Sequence, residues 1–141
     1  MRHSIYTTNA DANYTENVKL ALMNGCQWIK LSIHESSNED FLPVVSSIKG
    51  LCDEYHAYLI IEDRVDLAKL VKANGVHLND KENVAVVRKN LGAHYLICVT
   101  ANNHDEARRL QDLGADCTDE YNLGLKSFEL TLGASSHIHY A

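Results

Sequence analysis

The sequence predicts an α/β fold built on parallel strands. Short apolar runs recur along the chain: Trp28-Ile29-Lys30-Leu31-Ser32-Ile33, Tyr58-Leu59-Ile60-Ile61, Val76-His77-Leu78 and His94-Tyr95-Leu96-Ile97-Cys98-Val99-Thr100. Most lack strict alternation, as strands covered on both faces do. Segments with apolar residues at helical spacing separate them. Strand and helix signals that alternate in this way define β-α units, which form either an open doubly wound sheet or a (β/α) barrel.

The elements follow in order. Ser4-Ile5-Tyr6-Thr7-Thr8 is β-prone and opens the chain. From Tyr14 to Asn24 a helix is predicted, with Thr15 as N-cap, Val18, Ala21 and Leu22 inward, and Gly25 at its stop. The second strand covers Trp28–Ile33. A loop and helix follow from Ser36 to Tyr55, with Val44, Ile48, Leu51 and Tyr55 on one face and Pro43 in the first turn. Tyr58–Ile61 is the third strand, and Val65, Leu67, Ala68 and Val71 mark a short helix. Val76–Leu78 is the fourth strand. Asn79 or Asp80 caps the next helix, where Val84, Val87 and Leu91 align. The fifth strand is 94–100, its helix runs from Asn103 to Leu113, and Gly114-Ala115-Asp116-Cys117 begins a weaker sixth. In 127–132, Phe128, Leu130 and Leu132 alternate with Glu129 and Thr131, the pattern of one further strand.

No linker, low-complexity tract or charge block interrupts the series, so residues 1–141 read as a single domain, with 118–141 its divergent part. The composition is that of a globular chain: 45% hydrophobic and 23% charged, with one proline. A net charge of −6 argues against nucleic acid and anionic membrane surfaces as partners. No apolar run reaches the roughly 18 residues needed to span a bilayer. The N-terminus lacks an apolar signal core, so a cytoplasmic location is expected. The four cysteines, at 26, 52, 98 and 117, form no C-x-x-C pair and read as reduced, buried thiols.

In either architecture, functional residues gather beyond the carboxyl ends of the strands. That rule nominates Thr7-Thr8-Asn9, Ser32-His34-Glu35, Glu62-Asp63-Arg64, Asn79-Asp80 and Thr100-Asn102. His34, a histidine just past a strand end, is a candidate for acid–base work. His77 lies within its strand and reads as an interior histidine. His137 and His139 would share one side of a strand, although a mobile tail is the default for that segment.

Several segments, taken together, resemble the thiamine-phosphate synthase/TenI family. Ile61-Glu62-Asp63-Arg64-Val65-Asp66-Leu67-Ala68 resembles its I-N-D-R-x-D-L-A, and Gly75-Val76-His77-Leu78 its G-V-H-L. Ile97-Cys98-Val99-Thr100 with Asp105-Glu106-Ala107 resembles its fifth strand and E-E-A, and Gly114-Ala115-Asp116 its G-A-D. The resemblance runs from about residue 3 to 117.

The resemblance implies a TIM-barrel lineage, here an incomplete (β/α) barrel of about six or seven mostly parallel strands, since a full barrel takes at least roughly 200 residues. It implies a Mg²⁺-dependent transferase of thiamine biosynthesis that joins a pyrimidine methyl diphosphate to a thiazole phosphate and releases diphosphate. The alternatives are a non-catalytic or regulatory binder of such phosphate ligands, or a TenI-type thiazole tautomerase. Asp63 falls on a Mg²⁺-ligand position, and Glu82 on a second that is Asp in the family. Lys30, Ser32, Glu62, Arg64 and Asp80 are the implied substrate contacts, with His34, Thr100 and Asn102 as candidate catalytic residues. Ser32 and His34 stand where the family has Arg and Lys, Glu62 where it has Asn, and Thr100 and Asn102 where it has Ser and His. Gly124, Lys126 and Gly133 offer pieces of a phosphate loop. An incomplete barrel leaves strand edges to cover, so a homo-oligomer is expected.

Overall fold

The computed structural model describes residues 2–4, 11–34, 40–118 and 126–133. Strand and helix alternate: β1 (Arg2–Ser4), α1 (Asp11–Met23), β2 (Trp28–Ile33), α2 (Leu42–Glu54), β3 (Tyr58–Glu62), α3 (Val65–Val71) and β4 (Gly75–His77). A single 3₁₀ turn (Lys81–Asn83) leads into α4 (Val84–Leu91), then β5 (Leu96–Cys98), α5 (His104–Leu113) and β6 (Ser127–Leu132). All strand pairs are parallel, in the order β1-β6-β2-β3-β4-β5.

The two faces of this sheet decide between the two architectures. Ile29, Leu31, Leu59, Ile61, Val76, Ile97, Phe128, Leu130 and Leu132 point to one face. There they share one core with Val18 and Leu22 of α1, Val45 and Ile48 of α2, Leu67 and Val71 of α3, Val87 of α4 and Leu110 of α5. The opposite face carries Trp28, Lys30 and Ser32 in register with Tyr58 and Ile60, then Glu62, His77 and Cys98. A doubly wound sheet has helices on both faces; among the described residues they cover one, as in a barrel wall. The fold is therefore an incomplete barrel, α/β throughout, with its concave side formed by the second set of residues.

The local sequence explains most element ends. Gly25, at φ +96°, turns the chain out of α1, and Pro43 occupies the first turn of α2. Asn103 caps α5 by accepting from the Glu106 amide. Gly75 is required by close packing: a Cβ there would lie 2.3 Å from the Leu96 carbonyl oxygen on the neighbouring strand.

Several expectations change in detail. Helix α1 begins at Asp11 rather than Tyr14, and α2 buries Val45, Ile48 and Cys52 while Tyr55 is largely exposed. The first strand is placed at 2–4; residues 5–10, with Thr7-Thr8-Asn9, lie outside the described residues, as do Glu35, Gly124, His137 and His139. The sixth strand reduces to a single bridge between Cys98 and Cys117. Asp116 adds a side-chain tie there: its carboxylate accepts from the Ile97 amide (3.0 Å) and from Arg88. Segment 127–132 is a strand, as its alternation predicts, but it enters between β1 and β2. Lys126 precedes β6 and donates to the Asn24 carbonyl (2.8 Å) at the foot of the sheet, away from any phosphate loop at the mouth. Among the described residues no helix is long and apolar enough to cross a membrane.

Candidate functional site

Parallel strands deliver their carboxyl ends to one rim. The ends of β2 and β3, with the segment after β4, frame a cleft of about 520 Å³ lined by Ser32, Ile33, His34, Glu62, Asp63, Arg64 and Asn79. A smaller hollow of about 310 Å³ adjoins it through Asp63 and Asn79 and reaches Asp80 and Asn83.

Asp63 organises this rim. Its backbone takes the left-handed region (φ +60°), which Asp tolerates better than most residues, and its amide donates to the His77 carbonyl (2.9 Å). The carboxylate is thereby turned towards the end of β4. It accepts from the Asn79 amide (2.9 Å) and from Asn79 Nδ2 (2.8 Å). Nδ2 also donates to Glu62 Oε2, so two carboxylates converge on one amide group. Lys30 Nζ lies 3.7 Å from Glu62 Oε1 on the concave face. Ser32 and Thr131 of β6 share a hydroxyl–hydroxyl hydrogen bond (3.1 Å), and the His34 amide donates to the Leu132 carbonyl (2.7 Å). The β6 strand thus forms a wall beside the cleft.

Arg64 lines the cleft while holding Asp66 through two hydrogen bonds of 3.1 Å each. That bidentate pair raises the guanidinium's pKa and lowers that of Asp66. Below the rim, His77 Nδ1 is buried without a hydrogen-bond partner among the described residues. Burial first, then the charge of Lys30, pushes the imidazole's pKa down, against Glu62 and Asp63.

The residues nominated from sequence divide into two groups. Ser32, His34, Glu62, Asp63 and Arg64 come together at the cleft, with Lys30 reaching it through Glu62. The others stand elsewhere. Asp80 lines the smaller hollow and accepts from the Glu82 amide (3.0 Å) and Asn83 Nδ2 (3.3 Å), the work of a cap. Glu82 Oε2 lies 3.7 Å from Arg109, with the side chain 78% exposed. Thr100 and Asn102 follow β5 and do not line the cleft; the Asn102 amide donates to Glu106 (2.7 Å), which also accepts from Lys81 (2.8 Å). Asn79, nominated with Asp80 for its place directly after a strand, is the one of the two that lines the larger cleft. Thr131 carried no such signal, because nothing local places β6 beside β2.

Glu62 and Asp63 supply hard oxygen donors and already share one positively polarised partner, so in kind and charge they suit a dication such as Mg²⁺. Among the described residues no group of three or more His, Cys, Asp or Glu gathers as a metal cage. Mg²⁺ does not need one, since it is commonly held by one or two carboxylates and by the ligand's own phosphates.

Parallel strands with polar groups at their carboxyl ends, and with the described helices packed on one face, define a barrel-type protein. Within that class, the chain belongs to the thiamine monophosphate synthase family, whose model matches residues 3–118. It is 36% identical over 120 residues to a thiamine-phosphate synthase of Bacteroides fragilis, covering 84% of this chain and 56% of that protein. With the thiamine-phosphate synthase of Flavobacterium psychrophilum it shares 38% identity over 117 residues, 82% of this chain and 54% of that one. Its fold is similar to the solved structure of a thiamine phosphate pyrophosphorylase from Pyrococcus furiosus, with a TM-score of 0.68 and 26% identity, covering 78% of this chain and 55% of the other. The chain spans about half the length of the curated relatives it matches. The β6 strand lies beyond the matched segment.

Proposed function

We propose that the cleft at the ends of β2, β3 and β4 binds phosphorylated thiamine precursors, and that the chain serves thiamine-phosphate synthase chemistry: a pyrimidine methyl diphosphate joined to a thiazole phosphate. One observation carries this reading. Glu62, Asp63 and Asn79 converge at the mouth within the segment that matches the family. Asp63 and Glu62 would hold Mg²⁺, with Glu82 turned towards Arg109. The ion would supply neutralisation of the charge that develops on the leaving diphosphate. Lys30 and Arg64 bring fixed positive charge, and Ser32 brings a hydroxyl already oriented by Thr131. His34 is placed to exchange a proton at the cleft wall.

A second reading, a non-catalytic relative that binds the same phosphate ligands, is favoured by the charge balance. Lys30 is engaged by Glu62, and Arg64 by Asp66, so an incoming diphosphate must compete with a carboxylate for each. A TenI-type tautomerase has less support, because Asn102 stands away from the cleft.

Burial of all four thiols supports a reducing, cytoplasmic setting, and strand edges that are unpaired among the described residues support a homo-oligomer that covers them. A single monomeric species in analytical ultracentrifugation would contradict the oligomer. The function is tested by mixing the purified chain with both precursors and Mg²⁺ and assaying thiamine phosphate. Product formation supports the transferase. Calorimetric binding without turnover supports the second reading, and neither binding nor turnover overturns both.

A further inference from the structure

The concave face carries a small apolar cluster on its β5 side, formed by Trp28, Ile60, Cys98 and Cys117, with Leu96 packed against it. Cys98 and Cys117 are bridge partners on neighbouring parallel segments, and both side chains are buried in this one cluster. Backbone bonds hold the two segments in this register: Asp116 to the Ile97 carbonyl, Val99 to the Cys117 carbonyl and Ala101 to the Thr118 carbonyl, each 2.8 Å. Cys26 and Cys52 are buried in the other core, beneath the helices. Among the described residues the segment around Cys117 pairs with β5 alone, so it forms an edge of the sheet.

We propose that Cys98 and Cys117 are a modification site: a dithiol that closes to an intramolecular disulfide when exposed to a small disulfide oxidant. Cys117, on the edge segment, loses its proton to water, and its thiolate attacks one sulfur of the oxidant. A mixed disulfide forms and one small thiol leaves. The deprotonated Cys98 then attacks the Cys117 sulfur and expels the second small thiol. The cysteine pair gives up two electrons and two protons, and the oxidant disulfide is reduced to two thiols. The neighbouring Cys117 thiol first, and then burial, push the Cys98 thiol well above its ordinary range, so the closed form reacts slowly. Reaction therefore passes through local opening of the edge segment, the cheapest kind of opening in a sheet. The product staples that edge to β5 and closes a loop containing α5, which restricts the unfolded chain.

The test treats the full chain with excess hydroxyethyl disulfide under native conditions, blocks the remaining thiols, and maps the peptides by mass spectrometry. The expected result is a Cys98–Cys117 cross-link, Cys26 and Cys52 left as free thiols, and a higher urea midpoint that dithiothreitol reverses. Cys117→Ala, or Cys98→Val should that variant fail to fold, must abolish both the link and the gain in midpoint. Mixed disulfides without the link, links through Cys26 or Cys52, or a midpoint gain that persists in the variants would each overturn the assignment.

Discussion

Asp63 grips Asn79 at two atoms, the backbone amide and the side-chain Nδ2, and so fastens the end of β3 to the end of β4. Both groups are solvent-accessible, so the clamp sits in the upper layer of the fold rather than in its core. Asp63→Ala removes both bonds and leaves Glu62 as the remaining carboxylate on Nδ2. The expected loss is about 1–2 kcal/mol of stability, towards the lower end for hydrogen bonds to a charged group because both bonds are exposed, read from urea denaturation. An unchanged midpoint would mean that the clamp contributes nothing measurable.

A second structural unit ties three segments through one guanidinium. Arg88 donates to the carbonyls of Gly92 and Tyr95 (2.8 Å each), to that of Gly114 through Nε (3.0 Å) and Nη2 (2.7 Å), and to the Asp116 carboxylate. Removing it strands several part-buried carbonyls. Arg88→Ala should cost about 2–4 kcal/mol, and Arg88→Lys should recover only part, because an ammonium cannot reproduce the fork. Equal stability of the Lys variant and the parent would contradict this geometry.

His77 gives the fold a pH dependence of definite sign. Its pKa in the folded state lies below the ordinary value of 6.5, through burial and Lys30 and in spite of Glu62 and Asp63. As pH falls below 6.5, the unfolded chain takes up a proton that the folded chain still refuses. Stability that is fully present above 6.5 is therefore lost progressively until the folded pKa is reached. The urea midpoint should decline across that window in the parent and stay flatter in His77→Gln. Parallel profiles would show that His77 is not the group responsible.

Much of the fold and part of the rim were legible because both depend on local signals. Apolar runs ending in Glu62-Asp63-Arg64 and Asn79-Asp80 mark strand ends whatever the strand order. What stayed hidden was long-range. The alternation in 127–132 signals a strand, but its insertion beside β2, and with it the Ser32–Thr131 contact, depends on pairing across nearly the whole chain. Asn79 and Asp80 were nominated together as residues following a strand; Asn79 lines the cleft, while the Asp80 carboxylate is engaged in capping the next turn. Glu82 likewise matches a family position in sequence, but its carboxylate lies beside Arg109.

Binding of phosphate ligands at the β2–β4 rim is read by amide chemical-shift mapping of the isotopically labelled chain as the pyrimidine methyl diphosphate and Mg²⁺ are added. Shifts should concentrate at Ile33, His34, Glu62, Asp63, Arg64 and Asn79 and be lost in Asp63→Ala. Shifts confined to the foot of the sheet, around Trp28 and Tyr58, or no shifts at saturating ligand, would contradict it.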